Sequence, residues 1–104
     1  MDREKYLKKL LNFRKSLMKK VNVSEMILFG SRARGDYKED SDFDLIIVSD
    51  DFEGKKSFHR AIGFYEYWDI DSPVDFVCLT NLEMEKKRNE VGVIGEALKE
   101  GVVI

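Results

Sequence analysis

The sequence is poor in the residues that would support several common readings, with one cysteine, one proline and one histidine in 104 positions. Cys78 alone can form no disulfide within the chain, which fits a reducing compartment. Its setting, "VDFVCLT", has a buried-strand pattern, so the thiol is read as packing filler. There is no excess of positive charge. Lys+Arg is 18 and Asp+Glu is 20, a formal net charge of -2, so nucleic acid is not expected as the main partner, although a local basic patch stays open. Apolar runs are short, and none approaches the ~18 residues of a membrane span. The N-terminus, "MDREKYLKKLLNFRKSL", is charged throughout and does not read as a signal peptide. Internal repeats, low-complexity segments and linkers are absent. The expectation is one soluble, cytoplasmic domain over residues 1–104 with no membrane partner.

What the sequence does have is a composition for a modest core, 43% apolar, under a heavily ionised surface, 37% charged. Asp2 can cap a first helix in which Tyr6, Leu10, Phe13, Leu17 and Val21 recur at three- and four-residue steps. "SEMILFG" reads as a buried strand ending at Gly30. "DFDLIIVS" reads as a second, with an apolar middle suited to a central position. In "SFHRAIGFYEYW" the spacing of Phe58, Ala61, Ile62, Tyr65 and Trp68 predicts a helix with one apolar stripe, and lone His59 there reads as solvated or satisfied. Pro73 opens a third strand, "VDFVCLT", and Thr80 with Glu83 predicts a capping box for another helix. Gly92 and Gly95 break or bend the following region, and Gly101 ends a last helical piece, "IGEALKE". The order predicts an α/β layer arrangement with a small sheet, its strand directions left open.

The chemistry concentrates in "LFGSRARGDYKEDSDFDLIIV". Asp42 and Asp44 are two apart at the start of a strand, so their side chains project from one face. Adjacent carboxylates repel and raise one another's pKa unless a positive group neutralises them. A divalent cation is one answer, and Mg²⁺ favours carboxylate oxygens supplemented by water and phosphate. A solvated turn before the strand is the other. Gly30 ends the preceding strand, and Ser31 can cap a short helix from Arg32, a geometry suited to an anionic phosphate. Arg32 and Arg34 add positive charge, unless the turn is an ordinary one with solvated arginines. Gly30 and Gly35 have the G-x-x-x-x-G spacing of a P-loop, but Asp36-Tyr37 stands where that motif requires Lys and then Ser or Thr. A third acid, Asp75, lies among Val74, Phe76 and Val77. It either has a partner or a metal, because burying an unpaired carboxylate is costly, or faces water from an edge strand. Asp69 and Asp71 read as turn residues before Pro73.

Taken together, Gly30-Ser31, ten intervening residues, Asp42-Phe43-Asp44 and a later strand acid resemble the G-S-x10-D-x-D signature of the DNA polymerase β nucleotidyltransferase superfamily. "GSRARG" with "SDFDL" is similar to its minimal nucleotidyltransferase branch. The resemblance implies the polymerase β-like nucleotidyltransferase fold, a small mixed β-sheet of three or more strands flanked by helices. It also implies that Asp42, Asp44 and Asp75 bind two Mg²⁺ ions and that Gly30 and Ser31 hold the β and γ phosphates of ATP or another NTP. Arg32 or Arg34 would offset charge there, with the choice between them open, and Ser41 is read as a turn or cap residue. Asp75 would lie nearest the attacking hydroxyl.

About sixty residues follow Asp44, so no second acceptor-binding domain is expected in addition to the remaining elements. The resemblance therefore implies a partner: a small helical HEPN-type protein, with this chain as an antitoxin that transfers AMP to a tyrosine of the toxin. Two alternatives stand beside it. One is a non-catalytic nucleotide-binding module that neutralises its partner by occlusion; the other is transfer to a small molecule, disfavoured by the missing acceptor domain. Phe29, Tyr37 or Phe43 could stack on a base or could be core. The aromatic-rich "FHRAIGFYEYW" leaves a partner surface or a homo-oligomer open.

Overall fold

The computed structural model describes residues 3–35, 38, 41–90 and 99–104. Its first element, α1 (Arg3–Leu17), follows the apolar spacing, with Tyr6, Leu10, Phe13 and Leu17 buried along one face. Val21 is buried just past the helix end. The proposed cap, Asp2, lies outside the described residues.

Four strands form one sheet in the order β3-β2-β1-β4: β1 (Glu25–Phe29), β2 (Phe43–Val48), β3 (Val74–Leu79) and β4 (Val102–Val103). β1 is antiparallel to β2 and to β4, whereas β2 and β3 are parallel, so the sheet is mixed as expected. β2 lies between β3 and β1 and is covered on both faces, which is why its apolar run is continuous. Phe43, Leu45 and Ile47 pack with Met26, Leu28 and α1. Ile46 and Val48 face the other way, with Ile27 and with Met84 of α3 (Asn81–Asn89).

The segment expected to be one helix over 57–68 instead forms two separate 3₁₀ turns, Ser57–His59 and Phe64–Tyr67. Gly63, at φ 86, breaks the path between them. The apolar stripe is broken too: Phe58, Ile62 and Tyr65 are exposed, and Phe64, outside that stripe, is buried against Phe52. Ala61 and Trp68 do pack on the core, Trp68 edge-on to Phe13 at 5.2 Å. The same segment shields β3, an edge strand. Tyr65 Oη donates to the Val74 carbonyl at 3.2 Å, and Arg60 Nη1 donates to the Cys78 carbonyl at 3.1 Å. Exposed His59 stacks edge-on to Phe58, and Cys78 is buried with its thiol pKa pushed up to about 12, chiefly by burial.

The capping box is present. Glu83 N–H donates to Thr80 Oγ1 at 3.1 Å, and Thr80 N–H donates to Glu83 Oε1 at 2.8 Å. Thr80→Ala is expected to cost about 1 kcal/mol, measured as a lower midpoint in denaturant with an unchanged slope. β4 went unread in the sequence because two residues show no period. Gly92 and Gly95 lie outside the described residues, as does most of the "IGEALKE" piece. Among the described residues no helix is long and apolar enough to cross a membrane.

Candidate active site

Strand pairing brings the acids together. Asp44 of β2 stands opposite Phe29 of β1 on one side and opposite Asp75 of β3 on the other. These three residues form one row at the end of the sheet, on the face that α3 covers lower down at Ile46 and Val48. Asp42 is two residues earlier, just outside β2, and exposed. Asp75 is also exposed and lies on the edge strand β3, a position open both to water and to a metal ion shared with Asp44. Whether an acid in an apolar strand is buried depends on sheet order, which its local sequence does not reveal.

The turn after β1 presses against this row. Gly30 has φ 74 and ψ -157, and a Cβ built there would lie 2.5 Å from Asp44 Oδ2. Only glycine holds that backbone region without strain, and only a residue without Cβ permits that approach. α2 (Ser31–Arg34) starts immediately after it, so Gly30 occupies the cap position that the sequence reading gave to Ser31. Ser31 is half-buried in the first turn. Ser41 is a turn residue: its Oγ accepts from Lys38 N–H at 2.8 Å, and its own N–H donates to the Lys38 carbonyl at 3.0 Å.

The two arginines separate. Arg34 points outward, its side chain 45% exposed, 3.8 Å from Glu100. Arg32 points inward and is 3% exposed. Its Nε and Nη2 donate to the Ser41 carbonyl at 3.2 and 2.9 Å, and its guanidinium lies 4.4 Å from the centre of the Phe43 ring. Residues two apart on a helix are about 200° apart, so the i, i+2 spacing was the available signal that one arginine faces the core. Phe43 is core, packed edge-on against Tyr6 and Trp68. Half-buried Phe29, beside Asp44, packs against the cluster of Ile27, Ile46, Val48 and Met84; Tyr37 lies outside the described residues.

Asp44 carries the electrostatic signature of the site. Its pKa is raised, first by burial, then by Asp75 and then by Asp42, with Arg34 opposing. Among the described residues, no three acidic, histidine or cysteine side chains converge closely enough to hold a metal ion alone. The donor set still fits Mg²⁺, which is held by one or two carboxylates together with water and substrate phosphate. A cation there would relieve the repulsion that raises Asp44.

Comparison with known proteins agrees with this geometry. A family model described as a nucleotidyltransferase domain matches residues 7–104. A Methanocaldococcus jannaschii protein, named by inference a protein adenylyltransferase, is 48% identical over 54 residues, 51% of this chain and 53% of that protein. The alignment thus spans about half the length of that relative. A crystal structure from Sulfolobus solfataricus, described by inference as a nucleotidyltransferase, is similar with a TM-score of 0.69 over 97% of this chain and 80% of that one. At 24% identity this is a likeness of fold.

Proposed function

Because the chain belongs to the nucleotidyltransferase-domain family, we propose that it transfers a nucleoside monophosphate, AMP from ATP, to a hydroxyl of a partner protein. The observation that carries this reading is the register of Asp44 with Asp75, with the Gly30 turn close against Asp44. In the transfer, the acceptor oxygen bonds to the α-phosphorus, the bond from that phosphorus to the bridging oxygen breaks, and pyrophosphate leaves. The hydroxyl proton passes to a carboxylate. Asp75 is our candidate for it, being exposed on the strand edge next to Asp44. Asp42, Asp44 and Asp75 would hold Mg²⁺, as two ions, which when bound supplies charge neutralisation at the phosphate and acceptor oxygens. Gly30 and Ser31 are assigned to the β and γ phosphates, and Arg34 is assigned to offset their charge in preference to the buried Arg32.

The support for a protein acceptor is the partial match to the relative named as a protein adenylyltransferase. A small helical HEPN-type partner, with this chain as the antitoxin, rests on the resemblance in "GSRARG" and "SDFDL" alone. The test is incubation with ATP labelled at the α or the γ phosphate, Mg²⁺ and the protein encoded by the adjacent gene. Transfer of α label only, abolished by chelation and by Asp42→Ala, is the expected result. Absence of α-label transfer, together with full neutralisation of the partner by Asp42→Ala/Asp44→Ala, would establish occlusion instead. Arg34→Ala is expected to raise the KM for ATP about tenfold with the thermal midpoint little changed, because the Arg34–Glu100 contact is exposed.

A further inference from the structure

Among the described residues Arg32 stands out from the other charged side chains by its burial, and several of its contacts lie around the acids. Its Nε and Nη2 hold the carbonyl of Ser41, the residue immediately before Asp42. Nη2 also reaches Ser72 Oγ at 3.4 Å, in the turn that precedes β3 and Asp75. The guanidinium lies over the ring of Phe43, the residue between Asp42 and Asp44. Its own carbonyl accepts from Tyr6 Oη at 2.9 Å, which ties α2 to α1. Ser72 is held from the other side, its carbonyl accepting from Trp68 Nε1 at 2.8 Å. Phe43 N–H donates to the Pro73 carbonyl at 2.9 Å, so the two strand starts are joined to each other as well.

We propose that Arg32 is a positioning residue: its buried guanidinium fixes the starts of both acid-bearing strands to the Gly30–Ser31 turn and so sets Asp42 and Asp75 about Asp44. The inference deepens the transfer reading above and rests on it for its kinetic arm. A planar fork is needed because Nε and Nη2 converge on one carbonyl while Nη2 also serves Ser72 and the flat face stacks on Phe43. A lysine ammonium supplies the charge without that geometry. Charge alone would suffice for a phosphate contact, which gives the two roles opposite responses to Arg32→Lys.

The experiment compares wild type, Arg32→Lys, Arg32→Met and Ser72→Ala. In protein free of metal and nucleotide, the amide resonances of residues 41–44, 72, 74 and 75 are expected to shift in Arg32→Lys, with a smaller shift in Ser72→Ala. In the transfer assay, both Arg32 variants are expected to lose about 10- to 100-fold in kcat and to need about tenfold more Mg²⁺ for half-maximal rate. Their KM for ATP should stay within about twofold of wild type. Rescue by Arg32→Lys, or a loss confined to KM, would overturn the proposal in favour of a phosphate contact. A lower thermal midpoint with kcat and amide resonances unchanged would overturn it in favour of a purely structural role. If the Arg32 variants do not fold, Ser72→Ala decides through its resonances and kcat. A wild-type protein that transfers no label contradicts the transfer reading, and the resonances then decide the positioning role separately.

Discussion

Asp44→Asn is expected to cut nucleotidyl transfer by about 10³-fold while making the metal-free protein slightly more stable. The activity loss follows from removing one carboxylate from the cation site: about 4 kcal/mol of charge stabilisation, at 1.36 kcal/mol per tenfold, is about three decades. The stability gain follows from the strand register, because Asp44 and Asp75 are like charges in register on neighbouring parallel strands, a pairing that costs about 0.2–1 kcal/mol. The same change should alter the pH dependence of stability. Asp44 is raised by burial, Asp75 and Asp42, so the folded state binds its proton more tightly than the unfolded state does. Stability from this group is then present below the ordinary value of 3.8 and lost as pH rises through the raised folded value. Glu83 works in the other direction. Its pKa is lowered by hydrogen bonds from Arg60 and from the Thr80 backbone, so its contribution is lost as pH falls below the ordinary 4.5. Denaturant midpoints for wild type and Asp44→Asn, taken across pH 3 to 7, isolate the first effect as a difference that grows with pH. A difference that shrinks would contradict the repulsive pairing.

Gly30→Ala should be damaging for two separable reasons. Its backbone, at φ 74 and ψ -157, lies in a region that costs a non-glycine residue about 1–3 kcal/mol. The new Cβ would also meet Asp44 Oδ2 at 2.5 Å, so the carboxylate or the strand must move. A displacement of about 1 Å at a reacting centre is enough for about a 10²-fold loss of rate. Gly54→Ala separates the two effects, because Gly54 also has a positive φ, 80, but a Cβ there would meet nothing within 4 Å. Gly54→Ala should lower the denaturant midpoint with kcat unchanged, and Gly30→Ala should lower both. Equal kcat losses in the two variants would show that the Gly30–Asp44 approach is not what the site requires.

What was legible in the sequence was what local physics decides. The i, i+3, i+4 spacing of Tyr6, Leu10, Phe13 and Leu17 gave α1, and continuous apolar runs gave β1, β2 and β3. Thr80 and Glu83 marked the start of α3, because a capping box is complete within four residues. The two-residue spacing of Asp42 and Asp44 signalled that they interact, although Asp42 sits just outside β2, and Asp75 was singled out by its apolar neighbours. What escaped depends on distant parts of the chain. β4 exists because β1 offers an open edge to Val102 and Val103. The 57–68 segment had a helical period, but Phe64 found a deeper site against Phe52, and packing overrode periodicity. Arg32 and Arg34 look alike in "GSRARG", and what tells them apart is distant in sequence or set by the fold: Phe43, Ser41 and Ser72 pack around Arg32.

The most direct test of the central claim is equilibrium binding of ATP, with and without Mg²⁺, to wild type and to Asp44→Asn/Asp75→Asn. It needs no acceptor. Wild type is expected to bind ATP at least about tenfold more tightly with Mg²⁺ than with chelator, and the double variant to lose that difference while remaining folded. Equal affinities with and without Mg²⁺ in wild type, or an undiminished Mg²⁺ effect in the double variant, would contradict an active site built on these carboxylates.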